Sequence, residues 1–253
     1  MVLRRSVLAA MAVLTVALAA GCGARDVPSA STVHRHTHAA KKAAVSLIST
    51  APAGTTLIAD LSGDTPGSPS PGAPQTIEIP GTWYGYPSVL PIINSAPGWV
   101  EVRLAQRPNE SVAWVPQRDV TVGITPFRIV VNLTTEHLAV FRDGQQILDF
   151  PAGIGSPAHP TVTGQYFMTM QVPAPNAGYG PFVLVTSAHS DTITDWEASG
   201  DAIIAIHGPI TSYDDSLIGS TGAAISNGCV RLHDADLAQL SIIPAGTPID
   251  IEA

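Results

Sequence analysis

The chain has 253 residues, a formal net charge of -8 and 45% hydrophobic residues. That acidic balance argues against nucleic acid as a partner, because a phosphate backbone selects for clustered lysine and arginine. With two cysteines in total, Cys22 and Cys229, a disulfide-stapled scaffold is excluded for a mature monomer, and each thiol needs its own account.

Residues 1–21 read as an export signal. Arg4 and Arg5 form the positive region, Val7 to Leu18 is an apolar run too short to span a bilayer and stay there, and Ala19-Ala20-Gly21-Cys22 comes next. Small residues before a cysteine resemble a bacterial lipobox, with Ala19 where leucine is commoner. The resemblance implies lipidation of Cys22 and an extracytoplasmic chain anchored to the outer face of the cell membrane, at the wall; simple secretion is the alternative.

Residues 22–75 read as a flexible Pro/Ser/Gly-rich tether. His34, His36 and His38 alternate in a polar tract and are expected to stay solvated, so no metal and no cofactor is called for. Leu47, Ile48, Leu57 and Ile58 show no clear period. Ser62 to Pro74, mostly Gly, Ser and Pro, is expected to be an extended spacer.

From Thr76 to Gly123 the pattern turns to short strands. Trp99 to Leu104 alternates apolar and polar, Arg107-Pro108-Asn109-Glu110 turns, and Val112 to Val115 returns, which predicts a hairpin. Gly-Trp-Val-Glu-Val-Arg-Leu followed by Ala-Trp-Val-Pro resembles the SH3-like modules that accompany bacterial wall enzymes, so residues 76–123 are assigned to a small β domain with Trp99 and Trp114 in its core.

Residues 124–253 are long enough for one domain with a real core. Phe127 to Leu133 is a β-branched run, and Asp143-Gly144 between two strand patterns is a strong hairpin signal. Further strands are predicted at Gly164 to Gln171, Phe182 to Ser187, Ala202 to Ile206 and Thr247 to Ile251, with one helix, capped by Asp234. The fold class is mostly β, a sandwich or open barrel, since strand-helix alternation is lacking. Residues 174–180 and 216–222 are the candidates for mobile loops.

The chemistry concentrates between Ile206 and Asp236. Cys229 sits in Ser226-Asn227-Gly228-Cys229-Val230-Arg231, and His207 ends an apolar run upstream. A thiol attacks as its thiolate, so a nucleophilic cysteine needs an imidazole, a cation or a helix N-terminus to lower its pKa. His207, Arg231 and the helix after Asp234 are the candidates, and the Gly208 carbonyl is placed to orient the imidazole. The amides of Asn227, Gly228 and Cys229 are candidates to hold an oxyanion. The plain alternative is that Cys229 is a small buried hydrophobe.

His207 followed by Ser226, Gly228, Cys229 and Arg231 resembles the signature of the L,D-transpeptidase, or YkuD, family; Asn227 departs from it, since a histidine often stands there. Gly153-Ile154-Gly155, Pro160-Thr161-Val162-Thr163-Gly164 and Ser187-Ala188-His189-Ser190 are similar to the family's earlier segments. The resemblance implies a YkuD-type catalytic domain, a peptidoglycan L,D-transpeptidase making 3-3 crosslinks between stem peptides. Cys229 would be the nucleophile passing through a thioester and His207 the base. Asn227, Gly228 and Gly208 would act through their backbones, and Ser226, Arg231 and His189 would border the substrate. Arg231 could pair with a substrate carboxylate or with an Asp of the following helix. Carbapenems are the expected covalent inhibitors. An L,D-carboxypeptidase that trims stems uses the same residues, and a wall-binding lipoprotein with a dead site is the reading from another class. A thiol redox protein is weakened by the lack of a resolving cysteine.

Overall fold

Every second residue of Thr56–Leu61 is apolar, and Leu57, Ala59 and Leu61 are buried while their neighbours are not. That period-two pattern makes it a half-buried strand, and it pairs antiparallel with Val89–Ala96 on one side and Val120–Thr125 on the other. The predicted hairpin of Trp99–Arg103 and Val112–Pro116 completes a five-stranded antiparallel sheet at the far edge of Val89–Ala96. A computed structural model describes residues 51–195, 201–220 and 222–253; the expected export signal, Cys22 and the histidine cluster lie outside these. All the described residues fall in one unit, Ala43–Ala253.

Two expectations for this first sheet are corrected. Residues 56–67 are not tether: Thr56–Leu61 is a central strand, and Thr65–Gly67 pairs with Ile77–Ile79 across the supposed spacer. Thr65 and Ser68 are buried, and a Cβ on Gly67 would lie 2.7 Å from Ile77, so this glycine serves close packing rather than flexibility. Trp99 and Trp114 do not form the core, to which this hairpin contributes Val100, Val102, Ala113 and Val115 from its opposite face. The tryptophans are half-buried on the other face.

Residues 127–252 build one eight-stranded sheet in the order Gln145–Pro151, His137–Arg142, Phe127–Asn132, Pro248–Glu252, Gly164–Pro173, Phe182–His189, Ile203–His207, Val230–Arg231. Two of its neighbours are parallel: Phe127–Asn132 with Pro248–Glu252, and Ile203–His207 with Val230–Arg231. Asp143 and Gly144 both take positive φ, as a tight hairpin turn demands.

The ten-residue strand Gly164–Pro173 joins the two halves. Its first residues pair with Pro248–Glu252 and, past a bulge between Met168 and Met170, its later ones pair with Phe182–His189. A bulge raises local twist and lets one strand serve two sheet directions. The result is a sandwich made from one curled sheet rather than two separate ones. Ile129, Val131, Leu138 and Val140 of one half share a core with Leu184, Ile204, Ile206 and Val230 of the other. Each such side chain contributes roughly 1.5–3 kcal/mol by leaving water. Phe167, from the joining strand, is buried instead in the core of the five-stranded sheet.

Among the described residues the domain holds two α-helices where one was predicted. Ser212–Leu217 lies between His207 and Cys229, capped by Thr211, whose hydroxyl accepts from the Asp214 N–H at 3.0 Å. Asp234–Gln239 comes after the cysteine as expected, but His233 is its cap residue and Asp234 is already its first helical residue.

Candidate active site

The strand Ile203–His207 anchors Ile204 and Ile206 in the core and carries His207 at its tip. Val230 pairs beside Ile206 and Arg231 beside His207, so Cys229 enters at the level of Ala205. On its other flank the cysteine segment is held by Gly153, which exchanges two 2.8 Å backbone hydrogen bonds with Arg231, and by the Ser156 N–H, 2.8 Å from the Ser226 carbonyl. Clamped from both sides, the segment presents Cys229 to a cleft of about 270 Å3 that His207, Asn227, Arg231, Tyr179 and Ala205 also border.

Local bonds shape the turn before the sulfur. The Ser226 hydroxyl donates to the Cys229 carbonyl at 2.6 Å and accepts the Gly228 N–H at 3.1 Å. Gly228 has φ of 113°, a conformation that strains a side chain. Its amide is already spent on Ser226, which corrects the expectation that Gly228 points its N–H at substrate; the amides of Asn227 and Cys229 are the ones left for that work.

Thr161, 4% exposed, braces the same turn: its hydroxyl donates to the Gly228 carbonyl at 2.8 Å and accepts the Gly155 N–H at 2.8 Å. Thr161→Val keeps the volume but strands both backbone groups. We expect a loss of about 1–3 kcal/mol in a denaturant melt; an unchanged midpoint would show that the brace is dispensable.

His207 is 3% exposed, and its Nδ1 lies 2.7 Å from the Gly208 carbonyl. A carbonyl only accepts, so Nδ1 carries the proton and Nε2 keeps its lone pair. Gly208 must lack a Cβ, which would fall 2.6 Å from Asp234 Oδ1 and 2.7 Å from the Gly180 amide nitrogen. The Tyr179 ring leans on the imidazole, centroids 4.7 Å apart at 44°. Backbone bonds tie Tyr179 in turn, with the Gly208 N–H on the Tyr179 carbonyl at 2.9 Å and the Ile210 N–H on that of Gly178 at 2.7 Å.

Burial lowers the His207 pKa to about 4, helped by the Arg231 charge and opposed by the Gly208 carbonyl. The imidazole is therefore neutral at pH 7. Burial also pushes the Cys229 thiol up, against a backbone hydrogen bond from Ala205 and the pull of Arg231. That direction runs against the expectation of a thiolate at rest. Arg231 is itself paired, with Asp214 Oδ2 2.9 Å from its Nη1.

The remaining expected residues divide. Asn227 is exposed at the cleft. Arg231 pairs with Asp214 of the helix before the cysteine, not with an Asp of the helix after it. His189 is 1% exposed and does not border the cleft; its Nδ1 is 2.7 Å from Asp201 Oδ2. A ring so enclosed cannot touch a substrate, which corrects its assignment there. Among the described residues no group of three His, Cys, Asp or Glu side chains could hold a metal ion.

Residues 126–251 match the family model of the YkuD L,D-transpeptidase catalytic domain. This domain belongs to the YkuD family. The L,D-transpeptidase domain is also similar to the YkuD proteins of Bacillus licheniformis, 27% identical over 127 residues, and Bacillus subtilis, 25% identical over the same length. In both cases the match covers 50% of this chain and 66% of the relative, so the chain spans just under two thirds of the length of the relatives it matches. Among solved structures, an L,D-transpeptidase from Mycobacterium smegmatis is 16% identical over 61% of this chain and 91% of that one, with a TM-score of 0.40.

Four residues of the L,D-transpeptidase domain's cleft region were not singled out from sequence. Thr161 falls in a family-like segment whose residue types suggest no role for it, and Tyr179 falls in the span 174–180, expected to be a mobile loop. Asp214 could have been found, since Thr211 and Asp214 have the spacing of a helix cap, which places Asp214 in a first turn. Asp201 carries little local signal, because its side-chain partners, Arg107 and His189, come from other segments.

Proposed function

We propose that the chain is a peptidoglycan L,D-transpeptidase that forms 3-3 crosslinks between stem peptides through a Cys229 thioester. The observation that carries this reading is a neutral imidazole, with Nδ1–H fixed on the Gly208 carbonyl, bordering the same cleft as the free thiol of Cys229. Because the resting thiol is protonated, His207 Nε2 removes its proton as the sulfur attacks the carbonyl of the diamino acid in a tetrapeptide stem. The amides of Asn227 and Cys229 hold the oxyanion, the C–N bond to the terminal D-alanine breaks, and His207 returns the proton to the departing amine. An acceptor amine then attacks the thioester, His207 takes its proton, and the thiol is regenerated. No metal or cofactor enters any step.

Arg231, tied to Asp214, positions the cysteine segment rather than recruiting a substrate carboxylate. Ser226 holds the turn, and Asn227 occupies the exposed rim where the family often has histidine. The five-stranded sheet acts as an SH3-like wall module, and lipid on Cys22 holds the chain at the outer face of the membrane. A carbapenem is attacked at its β-lactam carbonyl by the same sulfur and remains bound as a thioester.

Incubating the full chain with a disaccharide-tetrapeptide and reading products by mass tests this. Crosslinked dimers with loss of D-alanine support transfer. Free tripeptide alone makes the enzyme an L,D-carboxypeptidase, and unchanged substrate leaves a wall-binding protein.

A further inference from the structure

No residue of the five-stranded sheet borders the cleft, yet one turn of that sheet grips the cleft's wall. Ser190, Ile193, Ala202 and Ile203 line part of the cleft's wall. They belong to two stretches that leave the strand Phe182–His189 and enter the strand Ile203–His207. We propose that Arg107 and Asn109 are positioning residues for this wall, so that the N-terminal sheet governs donor binding in the cleft.

Asn109 meets His189 as a neighbouring strand would. Its Nδ2 donates to the His189 carbonyl at 2.8 Å, and its Oδ1 accepts the His189 N–H at 2.9 Å. One side-chain amide thus satisfies both backbone groups of a residue at the end of its strand. Arg107 gathers the chain beyond that strand end. Its Nη2 donates to the Ser190 carbonyl at 2.8 Å and lies 3.4 Å from that of Ile193, while its Nε meets Asp201 Oδ1 at 2.8 Å. The second oxygen of Asp201 is 2.7 Å from His189 Nδ1. A single guanidinium therefore joins the outgoing and the returning stretch. Its planar fork of five donors suits it to several acceptors at once, which a lysine could not serve.

The support is itself braced. The Leu104 N–H donates to the Ser111 carbonyl at 2.8 Å and the Ser111 hydroxyl to that of Pro108 at 2.6 Å. Glu110 Oε1 accepts the Gln165 N–H at 2.9 Å, and Arg103 Nη2 reaches Gln165 Oε1 at 2.8 Å, which fixes the turn to the joining strand of the sandwich. Within the wall, Ser190 Oγ accepts the Ile193 N–H at 3.1 Å and the Ser190 N–H donates to the Ala202 carbonyl at 2.8 Å. Breaking the guanidinium contacts frees these stretches while leaving Cys229, His207 and their clamps untouched.

The proposal rests on the cleft being the donor site, so its test has one arm that needs no substrate. In the full chain, Arg107→Ala is compared with Arg107→Lys and Asn109→Ala. Hydrogen exchange of a peptide covering Ser190 to Ile193 should rise about tenfold in Arg107→Ala, the size of one lost charge-assisted hydrogen bond. KM for the tetrapeptide donor should rise by about the same factor with kcat within about twofold, and alkylation of Cys229 by iodoacetamide should keep its rate. Arg107→Lys, which keeps a charge beside Asp201 but loses the fork, should fall between. Unchanged exchange in both alanine variants overturns the proposal, and so does faster exchange with unaltered KM. A wild-type chain inert towards the tetrapeptide overturns the transfer reading alone, and the exchange arm still decides whether the turn holds the wall.

Discussion

Cys229→Ala is expected to abolish the covalent adduct with a carbapenem and to lower transpeptidation by roughly 10⁴-fold or more, as removal of a nucleophile does elsewhere. Cys229 supplies the only free thiol among the described residues, and backbone contacts that do not involve its side chain hold its segment: Gly153 and Ser156 on one flank, Thr161 beneath, the strand Ile203–His207 on the other. Removing one sulfur from that frame should cost no more than about 1 kcal/mol of stability, so a melt close to wild type distinguishes lost chemistry from lost structure. An adduct still visible by intact-protein mass in the alanine variant would mean that another nucleophile acts. The wild-type sulfur carries a second signature. Because burial pushes its pKa up, alkylation by iodoacetamide should climb steadily with pH beyond the ordinary thiol range. A plateau already reached near neutrality would show a standing thiolate-imidazolium pair instead of proton transfer during attack.

His207→Ala should slow acylation by about 10²–10⁴-fold at neutral pH, the usual worth of a positioned base. The acid side of the wild-type profile should track a base that stays neutral down to about pH 4, since that is where burial holds the imidazole. The same shift links to stability. An unfolded histidine titrates near 6.5, so between that pH and about 4 the unfolded chain binds a proton that the folded chain refuses. The stabilisation is complete above pH 6.5 and is lost as pH falls towards 4, amounting to about 3 kcal/mol. Denaturant melts of wild type across that range should show the decline, and His207→Ala should lack this part of it. An acylation rate in the variant equal to wild type would shift the base elsewhere, with His233, whose Nδ1 is 2.7 Å from Asp215 Oδ1, the next to test.

Much of the L,D-transpeptidase domain is legible from short-range pattern. The strands from Phe127 to Glu252 are apolar, β-branched or alternating runs bounded by turn residues, and seven of them lie within a few residues of where those runs predict. The helix Ser212–Leu217 escaped notice because it has only six residues and buries none of them, so it carries no apolar stripe. Thr56–Leu61 was hidden differently. Its strand partners stand at Val89–Ala96 and Val120–Thr125, and the Gly- and Pro-rich stretch after it imitates a spacer while packing Thr65 and Ser68 inside.

By itself the sequence determined the reacting groups: a cysteine after a Ser-Asn-Gly turn, a histidine ending a buried strand, and a glycine behind that histidine. Such features are local, since they depend on residue type and on a few neighbouring dihedrals. Tertiary structure alone decided their electrical state and their company. Burial outweighs the lowering influence of Arg231 on the thiol, packing encloses His189 away from the cleft, and a turn from a separate sheet reaches the wall through Arg107 and Asn109. Desolvation and long-range hydrogen bonds are set by what the fold brings alongside a residue, and no span of chain around that residue encodes them.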